Sequence, residues 1–189
     1  MPTHEQALTG QPQDRWLTQY YFGRAAFSVA WVVLVFTIGL RQPALGVFLL
    51  VLYPLWDAAA NYVDAARNSG LSRNRTQAIN VVISLATTVA VIAALQMGLS
   101  AVLAVFGAWA ALAGLLQLAT AIGRWKSAGA QWAMVLSGAQ SAVAGGFFVF
   151  QAQQPVAAVL PTIAGYAAFG AIYFLISALW LVVRKRMRR

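Results

Sequence analysis

Cysteine is absent from this chain, and histidine occurs once, at His4. Without thiols there is no disulfide and no thiol chemistry. Without a second histidine, or a glutamate inside an apolar stretch, no residue set has the make-up of a metal site. Charge is scarce too: 9% of residues are charged, against roughly 25% in a soluble domain. Four acids occur, Glu5, Asp14, Asp57 and Asp64. No glycine-rich phosphate loop follows a strand, and no serine has a base nearby to activate it. Neither a catalytic residue nor a cofactor is expected, and an enzyme acting on lipids at the cytoplasmic face ranks as a third reading.

What remains is apolar. The 189 residues are 61% hydrophobic, with a mean hydropathy of +0.70. A water-soluble fold could not surround so much apolar sequence with polar surface, whereas lipid accepts apolar side chains all round a helix. The net charge of +9 does not point to nucleic acid, because the cations lie between apolar stretches, where they label cytoplasmic loops.

A helix needs about 20 apolar residues to cross the hydrocarbon core. Six stretches qualify: Tyr20–Leu40, Ala44–Ala66, Thr76–Met97, Leu99–Ile122, Gly129–Gln151 and Val156–Val183. They divide the chain into a tail at 1–19, a transmembrane domain at 20–183 and a basic tail at 184–189. The first tail has no apolar core and no small-residue cleavage site, so a cleaved signal peptide is not expected. It reads as a partly disordered segment ending in an interfacial turn near Trp16 and Tyr20.

Connections alternate in character. Arg41-Gln42-Pro43, Met97-Gly98 and Ala152-Gln153-Gln154-Pro155 are short and nearly uncharged, and their proline and glycine stop one helix and start the next. Residues 67–75 and 123–128 are longer and basic. Twelve of the thirteen Lys and Arg residues then fall on one side of the membrane, against Arg41 alone on the other. Positive loops stay inside, so both termini are expected in the cytoplasm, in a plasma membrane of bacterial type.

A shift of about fifty residues superimposes three hairpins. Trp56-Asp57-Ala58, Trp109-Ala110-Ala111 and Tyr166-Ala167-Ala168 then occupy equivalent places beyond the three turns. Units of two helices keep one orientation, so the expected architecture is an all-α membrane protein: six transmembrane helices as three parallel-repeat hairpins with pseudo-threefold symmetry about the membrane normal. Inverted repeats of the transporter type need odd-numbered units and do not fit.

Trp132-Ala-Met-Val-Leu-Ser-Gly138 with Ser141 and Gly145-Gly146, Trp109 through Gly114 to Gln117, and Ile38-Gly39 before Pro43 resemble the helices and first turn of HdeD-type membrane proteins. The resemblance spans roughly 26–183. It implies a six-helix bacterial inner-membrane protein built from a short repeat, with a role in acid resistance for some members and no settled molecular activity. The function expected for this chain is a non-enzymatic part in acid or stress response or in membrane homeostasis. The chain departs from the family's pattern at Thr87-Thr88 and at Asn61, which place polar groups in its first helices.

The candidate site lies on the second helix. Tyr53, Asp57, Asn61 and Asp64 share one face of a helix with 3.6 residues per turn. Asp57 falls about 20 Å beyond Pro43 at 1.5 Å per residue. A carboxylate at that depth must face protein and have a partner. Reflection about the first turn brings Arg24 to the same level, and Gln77, Asn80 and Ser84 lie at similar depth on the third helix. The expected network is Arg24, Tyr53, Asp57, Asn61, Asp64 and Asn80. It reads as glue between helices or as part of a channel or transport pathway. Asp64 also reads as a surface pair with Arg67.

Glycines at 107 and 114, 138 and 146, and 165 and 170 read as close-packing positions inside the bundle, with the face of a homo-oligomer as the alternative. Trp16, Trp125, Trp132 and Trp180 read as interfacial anchors. Arg184, Lys185, Arg186, Arg188 and Arg189 read as a topology anchor able to meet anionic lipids.

Overall fold

The structure is a computed structural model that describes residues 4–68, 70–126, 131–154 and 158–187, with the side chains of 4–14 outside the description. The described residues are almost entirely helical. The elements are α1 (His4–Leu34) running into a π-helical turn at Val35–Gly39, then α2 (Pro43–Arg67), α3 (Arg75–Met97), α4 (Leu99–Gly123), α5 (Gln131–Gln151) and α6 (Val159–Met187). Among the described residues, six helices are long and apolar enough to cross a membrane. Side chains such as Val29, Val82, Val89 and Val143 point outward from the bundle, as lipid-facing positions do.

One boundary departs from the sequence expectation. The α1 backbone is already helical at His4, well before the apolar run that begins near Tyr20. Hydropathy marks where a helix enters lipid, not where it starts. The third short turn is described only as far as Gln154, so Pro155 lies outside the described residues, as do Arg188 and Arg189.

The helices form a closed ring in chain order, with α6 packed back on α1. The closest packing is between α4 and α5, α6 and α1, and α2 and α3. These are the pairs joined or ended on the basic side, not the pairs joined by the short turns. Within the first hairpin, α1 and α2 approach closely only near the turn. There a Cβ on Gly46 would lie 3.0 Å from the Gly39 carbonyl oxygen, so both glycines permit the approach. Farther along, large side chains bridge the gap. The Trp31 indole donates to the Leu49 carbonyl at 2.9 Å, and Phe27 stacks on Trp56 with centroids 4.3 Å apart.

The α4–α5 contact is a backbone-to-backbone seam. A Cβ on Gly114 would sit 2.6 Å from both Ala142 N and Gly138 O, and one on Gly107 2.8 Å from Gly145 O. Small residues drive such association because lipid offers no hydrophobic gain between helices. Gly107, Gly114, Gly138 and Gly145 are thus internal packing positions. Gly146, Gly165 and Gly170 are not: a Cβ there would meet nothing within 4 Å.

Candidate functional site

The ring surrounds a partly open cavity of about 90 Å³, lined by polar and aromatic side chains, to which all six helices contribute. A water needs only about 10–15 Å³, so several fit. The cavity lies toward the basic end, between the level of Arg124 and Gln131 and that of Trp109 and Tyr166.

Asp57 is buried on its wall. The Arg24 guanidinium donates to Asp57 Oδ1 at 2.5 Å. Asn61 Nδ2 and Ser84 Oγ donate to Oδ2 at 2.9 and 2.7 Å. Trp109 Nε1 in turn donates to Ser84 Oγ at 3.0 Å. One carboxylate therefore ties α1, α2 and α3 directly and α4 through a serine. The other Arg24 terminal nitrogen donates to the Tyr20 hydroxyl at 3.1 Å, and the guanidinium lies 4.6 Å from the Phe174 ring centroid. These contacts complete the surroundings of a charge that costs heavily to hold away from water.

Asp64, two turns nearer the basic end, is fully buried. It accepts from Trp16 Nε1 at 3.1 Å and Asn68 Nδ2 at 2.6 Å on one oxygen. Its other oxygen accepts from Gln77 Nε2 at 2.5 Å and Arg124 at 2.9 Å. The expected surface pair with Arg67 is therefore corrected: Arg67 lies over the Trp16 ring at 5.0 Å, and the cation on Asp64 comes from the end of α4. Trp16 is likewise more than an interfacial anchor. Trp125, Trp132 and Trp180 do face outward, the last two as an edge-to-face pair with centroids 5.9 Å apart.

Two of the expected network members hold different places. Tyr53 lines the cavity, but its ring packs on Trp31 at 4.7 Å and edge-on to Trp109 at 5.8 Å. Asn80 is buried on the wall, and its Oδ1 has no hydrogen-bond partner. The α3 hydroxyl that reaches Asp57 is that of Ser84, one turn farther along. On the opposite wall, Ser141 Oγ and the Tyr166 hydroxyl are 2.5 Å apart and join α5 to α6.

The wall has a definite electrical character. Arg24 and Arg124 both line it, and Asp57 is its single carboxylate among the described residues. Both Asp57 oxygens already accept hydrogen bonds. Tyrosine hydroxyls, side-chain amides and the faces of Trp56, Trp109 and Phe174 make up much of the rest. The arrangement suits recognition of a small polar molecule. Comparisons with models of protein families, with curated proteins and with solved structures give no match to this chain.

Proposed function

We propose that this chain is a multi-pass plasma-membrane protein that binds a small polar solute in its central cavity and lets it cross, with the basic side in the cytoplasm. The observation that carries the reading is the cavity itself: a polar chamber that all six helices line, with the Arg24–Asp57 pair on its wall. If the buried polar residues served only as glue between helices, they would need no space beside them. Charged groups held inside a membrane bundle mark solute and ion routes when they border such space.

The resemblance to HdeD-type proteins supports a bacterial inner-membrane setting and a non-enzymatic part in acid or stress response, to which solute movement would contribute. The repeat belongs to the same proposal. Trp56, Trp109 and Tyr166, equivalent under the fifty-residue shift, all line the one cavity, as three copies of a hairpin about a central axis would arrange them. Arg184, Lys185 and Arg186 in the last turn of α6 meet anionic headgroups, at about 1 kcal/mol for each basic residue near the surface.

The test is entry into vesicles. Proteoliposomes moved into isotonic sodium formate, urea or glycerol report entry by light scattering. At least one probe should enter several-fold faster than into protein-free vesicles, and Asp57→Ala should change that rate. Rates equal to those of protein-free vesicles for every probe would overturn the reading and leave the polar network as helix glue.

A further inference from the structure

We infer that the solute bound in this cavity is a small monovalent anion that takes the place of Asp57 on Arg24 and enters together with one proton. The inference rests on the solute-binding reading above and names its substrate class.

Charge on the wall comes first. A cation entering the cavity would find the one carboxylate on its wall, Asp57, already paired with Arg24, and the second guanidinium on the wall, Arg124, held by Asp64. An anion has a cation within reach. Arg24 stands on the wall with 15% of its side chain exposed, backed by the Phe174 ring and fixed by the Tyr20 hydroxyl. Asp57 holds it from the α2 side through a single oxygen. The other Asp57 oxygen is anchored by Asn61 and Ser84, so the carboxyl stays in place when Arg24 turns to a second anion. The volume, about 90 Å³, has room for several waters and so suits a small anion.

A proton follows from charge balance. When an anion takes Arg24, Asp57 is left as a second negative charge without a cation, which is costly in a low-dielectric interior. Protonation removes that cost: the Asp57 carboxylate takes one proton from a hydronium ion of the bulk solution, which leaves as water, and becomes a neutral carboxylic acid. Anion and proton then arrive as a neutral pair. Only one guanidinium is released, so one negative charge is accommodated.

Asp57 is the group that titrates in this scheme. The charged and titratable groups that share the cavity wall with it are Tyr20, Tyr21 and Arg24 of α1, Tyr53 of α2, Arg124 at the end of α4, and Tyr166 and Tyr173 of α6; α3 and α5 offer uncharged side chains such as Asn80, Gln131 and Ser137, and Ser84 of α3 donates to it. The tyrosines ionise far above neutrality in water. Asp64 is fully buried, accepts four side-chain hydrogen bonds and does not line the cavity.

The test is calorimetric titration of the purified full-length protein with sodium formate, sodium nitrate, urea and glycerol, over about pH 8 to pH 5. Formate or nitrate should bind, with affinity rising by up to about tenfold per pH unit lowered, the slope of one linked proton. In Asp57→Asn nothing competes for Arg24 and nothing takes up the proton, so the same anion should bind more tightly and without pH dependence. Thermal unfolding gives a second readout, valid if the variant is unstable. Asp57→Asn in sodium gluconate, a carboxylate too large for the cavity, should unfold at lower temperature than the parent, and formate or nitrate should restore it. Arg24→Gln should bind neither anion. Binding of urea or glycerol without any anion would overturn this inference and leave the solute cavity standing. Absence of binding by all four probes would overturn both. Anion binding that is equally pH-dependent in Asp57→Asn would remove the proton from the scheme.

Discussion

Arg24 and Asp57 carry most of the chemistry at the scale of single residues. Their depth could be read from the sequence, because a helix rises a fixed distance per residue and Pro43 marks the turn about which the two positions mirror each other. Their contact is short, and both side chains are mostly buried. Removing one partner of such a pair strands the other charge, typically at about 3–5 kcal/mol. Asp57→Asn and Arg24→Gln should each lower stability in detergent by that order in an anion-poor buffer. The double variant should lose clearly less than the sum, since no charge is left stranded. Additive losses in a denaturation series would show that the two groups do not interact. Asp64 was less legible. Its cation, Arg124, is sixty positions away and becomes a neighbour only when α4 takes its place in the ring. Arg67, three residues along, was the visible but wrong partner. Ser84 and Asn80 differ by one helical turn, and a sequence without the register of α3 against α2 cannot choose between them. Asp64→Asn, which leaves Arg124 beside an uncharged amide, should also destabilise by about 3–5 kcal/mol, read in the same denaturation series. An Asp64→Asn protein as stable as the parent would show that the four-helix node contributes little.

Among the elements, the spans were the most legible feature. Long apolar runs broken by Pro43 and Gly98 leave little choice, and the helices observed agree with them apart from the start of α1. Helix contacts were less so. Glycine spacing announces that some helix comes close, without saying which. The α4–α5 seam uses Gly107 and Gly114 against Gly138 and Gly145, each pair seven apart and so on one helix face, whereas a Cβ on Gly165 or Gly170, five apart, would meet nothing within 4 Å. A side chain in the seam must force backbones apart, and overpacking of this kind costs about 1–3 kcal/mol or more. Gly114→Val should therefore lower thermal stability markedly, while Gly165→Val should leave it nearly unchanged. Equal effects of the two substitutions in an unfolding series would refute the seam.

For the whole molecule, the decisive feature is that six helices close into a ring around a polar chamber instead of filling it. The chamber could not be read from the sequence, since it depends on how α1 and α2 part beyond their turn and on where α6 returns. Large aromatic and charged side chains occupy that gap without filling it. The chain holds no cysteine, so single thiols can be placed at will. Ser137 and Ser141 line the cavity, whereas Val143, two positions beyond Ser141 on α5, points outward and is 74% exposed on the isolated bundle. The most direct measurement is labelling of Ser137→Cys, Ser141→Cys and Val143→Cys in membranes, using a charged, membrane-impermeant thiol reagent applied from the basic side. A hydrated cavity predicts that the thiol at 137 or 141 reacts and the lipid-facing thiol at 143 does not. Unreactive thiols at both 137 and 141 would contradict it.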